Sequence, residues 1–125
     1  MNKSIVSTKN APAALGPYSQ AIKTPSFLFC SGQLGIDPTT GDLAEGVRAQ
    51  AERSMNNLKA VIEAAGASLE GIVKTTIFLK DMNDFAVVNE VYGSFFKADK
   101  PARSTVAVAG LPKGGLVEIE AIVAL

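Results

Sequence analysis

An α+β fold is the prediction, and three observations make it. Residues 72–80 and 116–125 carry the β-branched composition or the period-two alternation of strands. From Val47 onward, apolar residues recur at spacings of three and four, the period of a helix lying on a core. Along the chain the elements read β-β-β-α-β-α-β-β, six strands and two helices in one domain spanning 1–125. Two helices can cover only one face of such a sheet. The other face stays open in a lone chain, and assembly of subunits through it is the expected remedy.

Residues 5–7 predict a short first strand. The loop N-A-P-A-A-L-G-P-Y-S follows, its path restricted by two prolines and a glycine. It delivers Tyr18 either as a wedge against the core or as a hydroxyl aimed into a cleft. Residues 20–23 and 27–33 predict two strands joined through T-P-S as a hairpin. The second ends in S-G-Q, where Gly32 permits close approach of its backbone to a neighbouring chain or a ligand. Residues 35–46 carry turn chemistry without periodicity. Val47, Ala51, Met55, Leu58, Val61, Ile62 and Ala65 then line one side of a helix of about twenty residues, with Gly66 as its stop.

Residues 72–80 predict a central strand. Asp81 or Asp84 caps a second helix, with Phe85, Val88, Val91, Tyr92, Phe95 and Phe96 as its apolar stripe. Asn89 lies within that helix, as a solvent-facing amide or as part of a site. Pro101 ends the run, and residues 103–108 and 116–125 predict two last strands joined as a hairpin through a Gly/Pro/Lys loop.

Composition excludes several classes of function. Hydrophobic residues at 47% and six Phe argue for a folded chain rather than a disordered one. Twelve basic and twelve acidic residues cancel, and no basic run exists to grip nucleic acid or an anionic membrane. Weak net repulsion also suits a protein that self-associates. The absence of His removes Ser-His-Asp triads, Cys-His dyads and His-ligated metals. The single cysteine, Cys30, sits in the apolar run F-L-F-C and reads as a buried small side chain. Neither a signal peptide nor an apolar span of ~20 residues is present, so the expected location is the cytoplasm. Nucleotide-phosphate fingerprints are absent as well.

What remains for chemistry is a small set. Glu118 and Glu120 share one face of the last strand, roughly 7 Å apart at ~3.4 Å per residue. Arg103 and Thr105 share one face of the strand before it. If the apolar faces of both strands point at one core, all four emerge together on the opposite side of the sheet. Such a group is either an Arg–Glu ion pair on a solvated face or a site. In a site, a guanidinium would fork a substrate carboxylate while a Glu handles a proton or a water.

The segments A-P-A-A-L-G-P-Y-S-Q-A, S-G-Q-L, A-Q-A-x-x-S-x-x-N-L-K-A-V-I-E-A-A-G, I-V-K-T-T-I-F-L-K-D-M-N-D-F, V-N-E-V-Y, P-A-R-S and L-P-K-G-G-L-V-E-I-E-A-I cover nearly the whole chain. Together they resemble the Rid/YjgF family, the reactive-intermediate deaminases. The resemblance implies a chorismate-mutase-like fold, a six-stranded mixed sheet with two helices packed on one face, assembled as a homotrimer with clefts between subunits. It implies a cofactor-free enzyme that hydrolyses enamino and imino acids released by pyridoxal-phosphate enzymes. By motif, Arg103 would grip the substrate carboxylate and Glu118 would orient water. Tyr18, Ser31, Gly32 and Asn89 would line the cleft. Thr105 stands where many members have cysteine, leaving its backbone carbonyl to hold water, and Gly110 stands where a larger residue is common. The alternative is a binding module that senses 2-oxo acids and acts through a protein partner. A ribonuclease, also attached to relatives, has neither His nor a basic patch here.

Overall fold

The computed structural model describes residues 1–125. Six strands form a single sheet: β1 (Ser4–Val6), β2 (Ala21–Lys23), β3 (Phe27–Leu34), β4 (Ile72–Leu79), β5 (Ala102–Ala107) and β6 (Val117–Ala124). Their order is β1-β2-β3-β6-β4-β5. All neighbours are antiparallel except β4 and β5, so the sheet is mixed. Two helices, α1 (Val47–Ala64) and α2 (Phe85–Gly93), complete the α+β architecture.

The elements form where local chemistry places them. The β2–β3 turn closes as expected, with Thr24 and Phe27 bonded through both backbone and the threonine hydroxyl. At the end of α1, Gly66 has φ +83°, a conformation that glycine adopts without a Cβ clash. The Ala67 amide reaches the Ile62 carbonyl and the Gly66 amide reaches that of Glu63, the paired bonds of a Schellman stop. Asp81, not Asp84, does the capping: its carboxylate accepts from the Asn83 amide and opens the 3-10 turn Met82–Asp84 that leads into α2.

Both helices lie on one face. Met55, Leu58, Val61 and Ile62 of α1 and Val88, Val91 and Tyr92 of α2 join Leu28, Ile77, Leu79, Val117, Ile119 and Val123 of the strands in one buried cluster of 22 residues. Strand β6 alternates as its sequence predicts, with Val117, Ile119, Ala121 and Val123 inward and Glu118 and Glu120 outward. The opposite face carries Phe27 and Phe29, each more than 40% exposed, beside Ile122, Phe78 and Val106. Ile72, at the start of β4, packs in the core.

One connection differs from expectation. The last two strands are not a hairpin, because β4 lies between β5 and β6 and pairs with both. The loop from 108 to 116 therefore crosses the end of β4, where Lys80 and Leu79 hold it through Leu116, Ala109 and Val108. Proximity in sequence and turn-forming residues suggested direct pairing. Instead β5 pairs in parallel with β4, and α2 is the crossover that such a parallel pair requires.

Leu58 is fully buried at the centre of α1. Leu58→Ala is expected to destabilise the fold by about 2–5 kcal/mol, the range for a leucine truncated in a close-packed core. Denaturant unfolding of the variant measures it.

Candidate active site

Strand β3 positions the first half of the site. Between Cys30, paired with Ala121, and Gln33, paired with Ile119, three steps on β3 face two on β6, so a bulge falls at Ser31 and Gly32. The bulge brings that backbone against the outward face of β6. A Cβ on Gly32 would stand 2.8 Å from Glu118 Cδ, so only glycine lets the carboxylate lie where it does. Ser31 spends its hydroxyl donor on the Ser19 carbonyl at 2.6 Å, and its amide on that of Gln20. These bonds moor the proline-rich loop that presents Tyr18, whose ring is half exposed. Tyr18, Ser31, Gly32, Glu118 and Glu120 line one open cleft of ≈ 920 Å³, with Lys113 at its rim.

Glu118 lies partly buried, and that burial, reinforced by the like charge of Glu120, raises its carboxyl above the ordinary glutamate range. It makes no ion pair. The single salt bridge of the molecule joins Arg48 to Glu90 at 3.2 Å, between α1 and α2.

Arg103 lies elsewhere, which corrects the expectation that it shares a face with Glu118. Parallel register sets Arg103 beside Thr75 and Thr105 beside Ile77, and both β4 residues face the helices. Arg103 and Thr105 therefore point to the α2 side of the sheet, and Val106 to the open side with Glu118 and Glu120. The expectation assumed that the apolar face of this strand points at the core. On edge strand β5 neither face is deeply covered, so its pattern of small residues does not orient it, and pairing with β4 does.

The Arg103 guanidinium is held without a carboxylate. Its carbon stands 5.2 Å from the centre of the Tyr92 ring and 5.5 Å from that of Phe85, and its Nη1 donates to Asn89 Oδ1. Tyr92 is held in turn by the Thr75 hydroxyl, 2.7 Å from its own. Thr105 Oγ1 is buried on this side with no hydrogen-bond partner. The predicted residues thus form two groups on opposite faces: Tyr18, Ser31, Gly32 and Glu118 on one, and Arg103, Asn89 and Thr105 on the other.

Residues 8–125 match the family model described as endoribonuclease L-PSP. This chain belongs to the Rid/YjgF family. It is 54% identical over 125 residues to a 2-iminobutanoate/2-iminopropanoate deaminase of Salmonella typhimurium, covering 98% of this chain and 97% of that protein. A RutC family protein of Pyrococcus horikoshii is 53% identical over 121 residues, 96% of each chain. The crystal structure of RidA from an Antarctic Psychrobacter superposes with a TM-score of 0.96 at 51% identity, covering 98% of this chain and 99% of that one.

Two residues of this Rid/YjgF chain were read only as core and prove to touch the guanidinium: Phe85 and Tyr92. The signal was available. Residues 85, 89 and 92 follow i, i+4, i+7, so they share one stripe of α2. Gln20 was read only as the start of a strand. Buried, it accepts from the Thr8 amide at 2.7 Å and donates to the Pro12 carbonyl at 2.8 Å, folding the Tyr18 loop onto the sheet. Cys30 is buried as expected, and burial pushes its thiol up to about 12. No helix is long and apolar enough to cross a membrane.

Gly32→Ala is expected to drive the Glu118 carboxylate away from the bulge, since the new methyl and the side chain claim the same space. A crystal structure of the variant checks this; an unmoved carboxylate would show that the bulge yields instead.

Proposed function

We propose that this chain is a cofactor-free enzyme hydrolysing 2-imino acids, the tautomers of 2-aminoacrylate and 2-aminocrotonate, to 2-oxo acids and ammonia. In this reading it acts as a homotrimer. The Arg103 half-site of one copy meets the Glu118 half-site of the next, and the open sheet face with its exposed Phe27 and Phe29 is where copies pack. The observation that carries the reading is the Arg103 guanidinium, oriented by two rings and an amide yet free of any carboxylate. A planar fork held in this way suits a substrate carboxylate. The deaminase name of the Salmonella relative supports the same chemistry. RNA cleavage, named in the family description, has less support in a chain of zero net charge without histidine.

The steps follow from the two halves. Arg103 pairs with the substrate carboxylate and fixes C2 near Glu118 of the neighbouring copy. Glu118, as carboxylate, takes a proton from water while the water oxygen bonds to C2. The C=N π pair moves to nitrogen, which takes that proton from Glu118, giving a carbinolamine. Glu118 then takes the hydroxyl proton as the C=O bond forms and passes it to nitrogen as the C–N bond breaks, and ammonia leaves a 2-oxo acid. Imines of this kind already hydrolyse in water, so orientation and a general base, worth about 10²-fold or more, are sufficient. The place of such an enzyme is in the cytoplasm, downstream of pyridoxal-phosphate enzymes that release enamines.

The test uses mixed assemblies. Arg103→Ala and Glu118→Gln chains, each inactive alone, are unfolded together and reassembled. If each site draws Arg103 from one chain and Glu118 from another, random mixing restores about a quarter of wild-type turnover. The assay generates 2-aminoacrylate with a serine dehydratase and follows keto-acid release. No recovery from a reassembled 1:1 mixture would place both residues in one chain's site and refute the shared cleft.

The raised carboxyl of Glu118 predicts the pH dependence. Activity requires the ionised form, so kcat/KM is full above that raised pKa and falls as pH drops through it. The stability effect has the opposite sense. Between the unfolded and the folded pKa the folded chain binds more protons, so Glu118 favours folding in acid and opposes it once ionised. Glu118→Gln is therefore expected to lose turnover at neutral pH while keeping or raising the melting temperature.

A further inference from the structure

Helix α1 carries three polar side chains where its pattern calls for core. Gln50, Ser54 and Asn57 are each at most 5% exposed and follow i, i+4, i+7, one stripe of the helix. Buried polar groups are tolerated only when hydrogen-bonded, so the partners of these three indicate their use.

All of those partners are backbone groups, and all but Ala44 lie in or next to the strand segments that carry the Ser31–Gly32 bulge and Glu118. Ser54 Oγ donates to the Gln33 carbonyl at 2.6 Å, directly after the bulge. Asn57 Nδ2 donates to the carbonyls of Leu34 and Ile36 at 3.1 and 2.8 Å. Gln50 Nε2 donates to the Ala44 carbonyl at 3.0 Å, and its Oε1 accepts from the Leu116 amide at 2.9 Å, two residues before Glu118. Asn57 Oδ1 has no partner, so that amide serves through its donors alone. The contact is close: a Cβ on Gly35 would stand 2.5 Å from the Gln50 Cα. Beyond the bulge β3 stays paired with β6 at Gln33 and Leu34, its register with β2 ends at Cys30, and the carbonyls of residues 33, 34 and 36 bond to these side chains.

We propose that Gln50, Ser54 and Asn57 are positioning residues of the imine-hydrolysing site. Through the backbone of residues 33–36 and 116 they set where the Ser31 and Gly32 bulge and Glu118 stand in the cleft. This rests on the deaminase reading above. The helix thus does two things with one face, burying apolar side chains in the core and holding the strand ends that carry the water-activating group.

The experiment compares Gln50→Met, which removes both bonds at similar volume, with Gln50→Glu, which keeps an acceptor for the Leu116 amide. Val61→Ala, a core truncation on the same helix, serves as a stability control. Ser54→Ala, losing one bond, replaces Gln50→Met if that chain does not fold. Measured on folded protein are kcat and KM for the coupled imine assay, 2-oxobutanoate affinity, and amide exchange at Leu116. Gln50→Met is expected to lower kcat by roughly ten-fold with KM and 2-oxobutanoate affinity unchanged, and to speed exchange at Leu116. Gln50→Glu should recover most of the kcat, and Val61→Ala should keep it. Wild-type kcat in Gln50→Met, or an equal loss in Val61→Ala, overturns the positioning role and leaves the stripe as structure alone. If the wild-type protein itself fails to hydrolyse the imine, the deaminase reading falls. Exchange at Leu116 then decides the anchoring, and rates no faster in Gln50→Met than in Val61→Ala overturn it.

Discussion

Burial of α1 and α2 against a single face of the sheet constrains every other feature of the molecule. One side chain set, from Leu28 through Leu58 to Val123, is closed from water on that face. The other face retains phenylalanines and two glutamates in the open. A lone chain with that surface is incomplete in the hydrophobic sense, and assembly through the open face would remove apolar area from water at about 25 cal/mol per Å². Glu118 therefore sits on the open face, and Arg103 on the side where α2 already is.

Separation of the two charges has an electrostatic consequence. Had Arg103 and Glu118 faced each other within one chain, they would have paired, and neither would be free for a ligand. On opposite faces each keeps its capacity. The guanidinium rests on the rings of Tyr92 and Phe85 and on the Asn89 amide, which orient it without neutralising it. The carboxylate rests against the glycine bulge beside Glu120, where partial burial and like charge hold its pKa up. Such an arrangement opposes stability locally and is tolerated because the core beneath β6 is fully packed, with Val117 and Ile119 inaccessible to water.

Most of the fold was legible in the sequence because period and turn chemistry are local. The apolar stripe of α1, its stop at Gly66, the β2–β3 turn and the alternation of β6 each follow from residues within one or two turns or strands of themselves. Strand order was not legible. A loop rich in glycine and proline after β5 reads as a hairpin, and nothing local says that β4 will pair with both flanking strands. The facing of β5 escaped for a related reason: A-R-S-T-V-A has no strong apolar side, so its orientation comes from its neighbour.

The residue types of the candidate site were determined by the sequence alone: an arginine in P-A-R-S, a glutamate in V-E-I-E, a tyrosine on a stiff loop and a glycine at the end of a strand. So was the exclusion of histidine chemistry and thiolate clusters, since composition needs no coordinates. Only the tertiary structure decided that these residues lie in two groups on opposite faces rather than in one. That decision rests on the pairing register of β4 with β5, which turns Arg103 toward α2, and on the bulge in β3, which clears room for Glu118 on the other face. Register and bulge are relations between strands distant in sequence, and a chain read one residue at a time carries no direct mark of them.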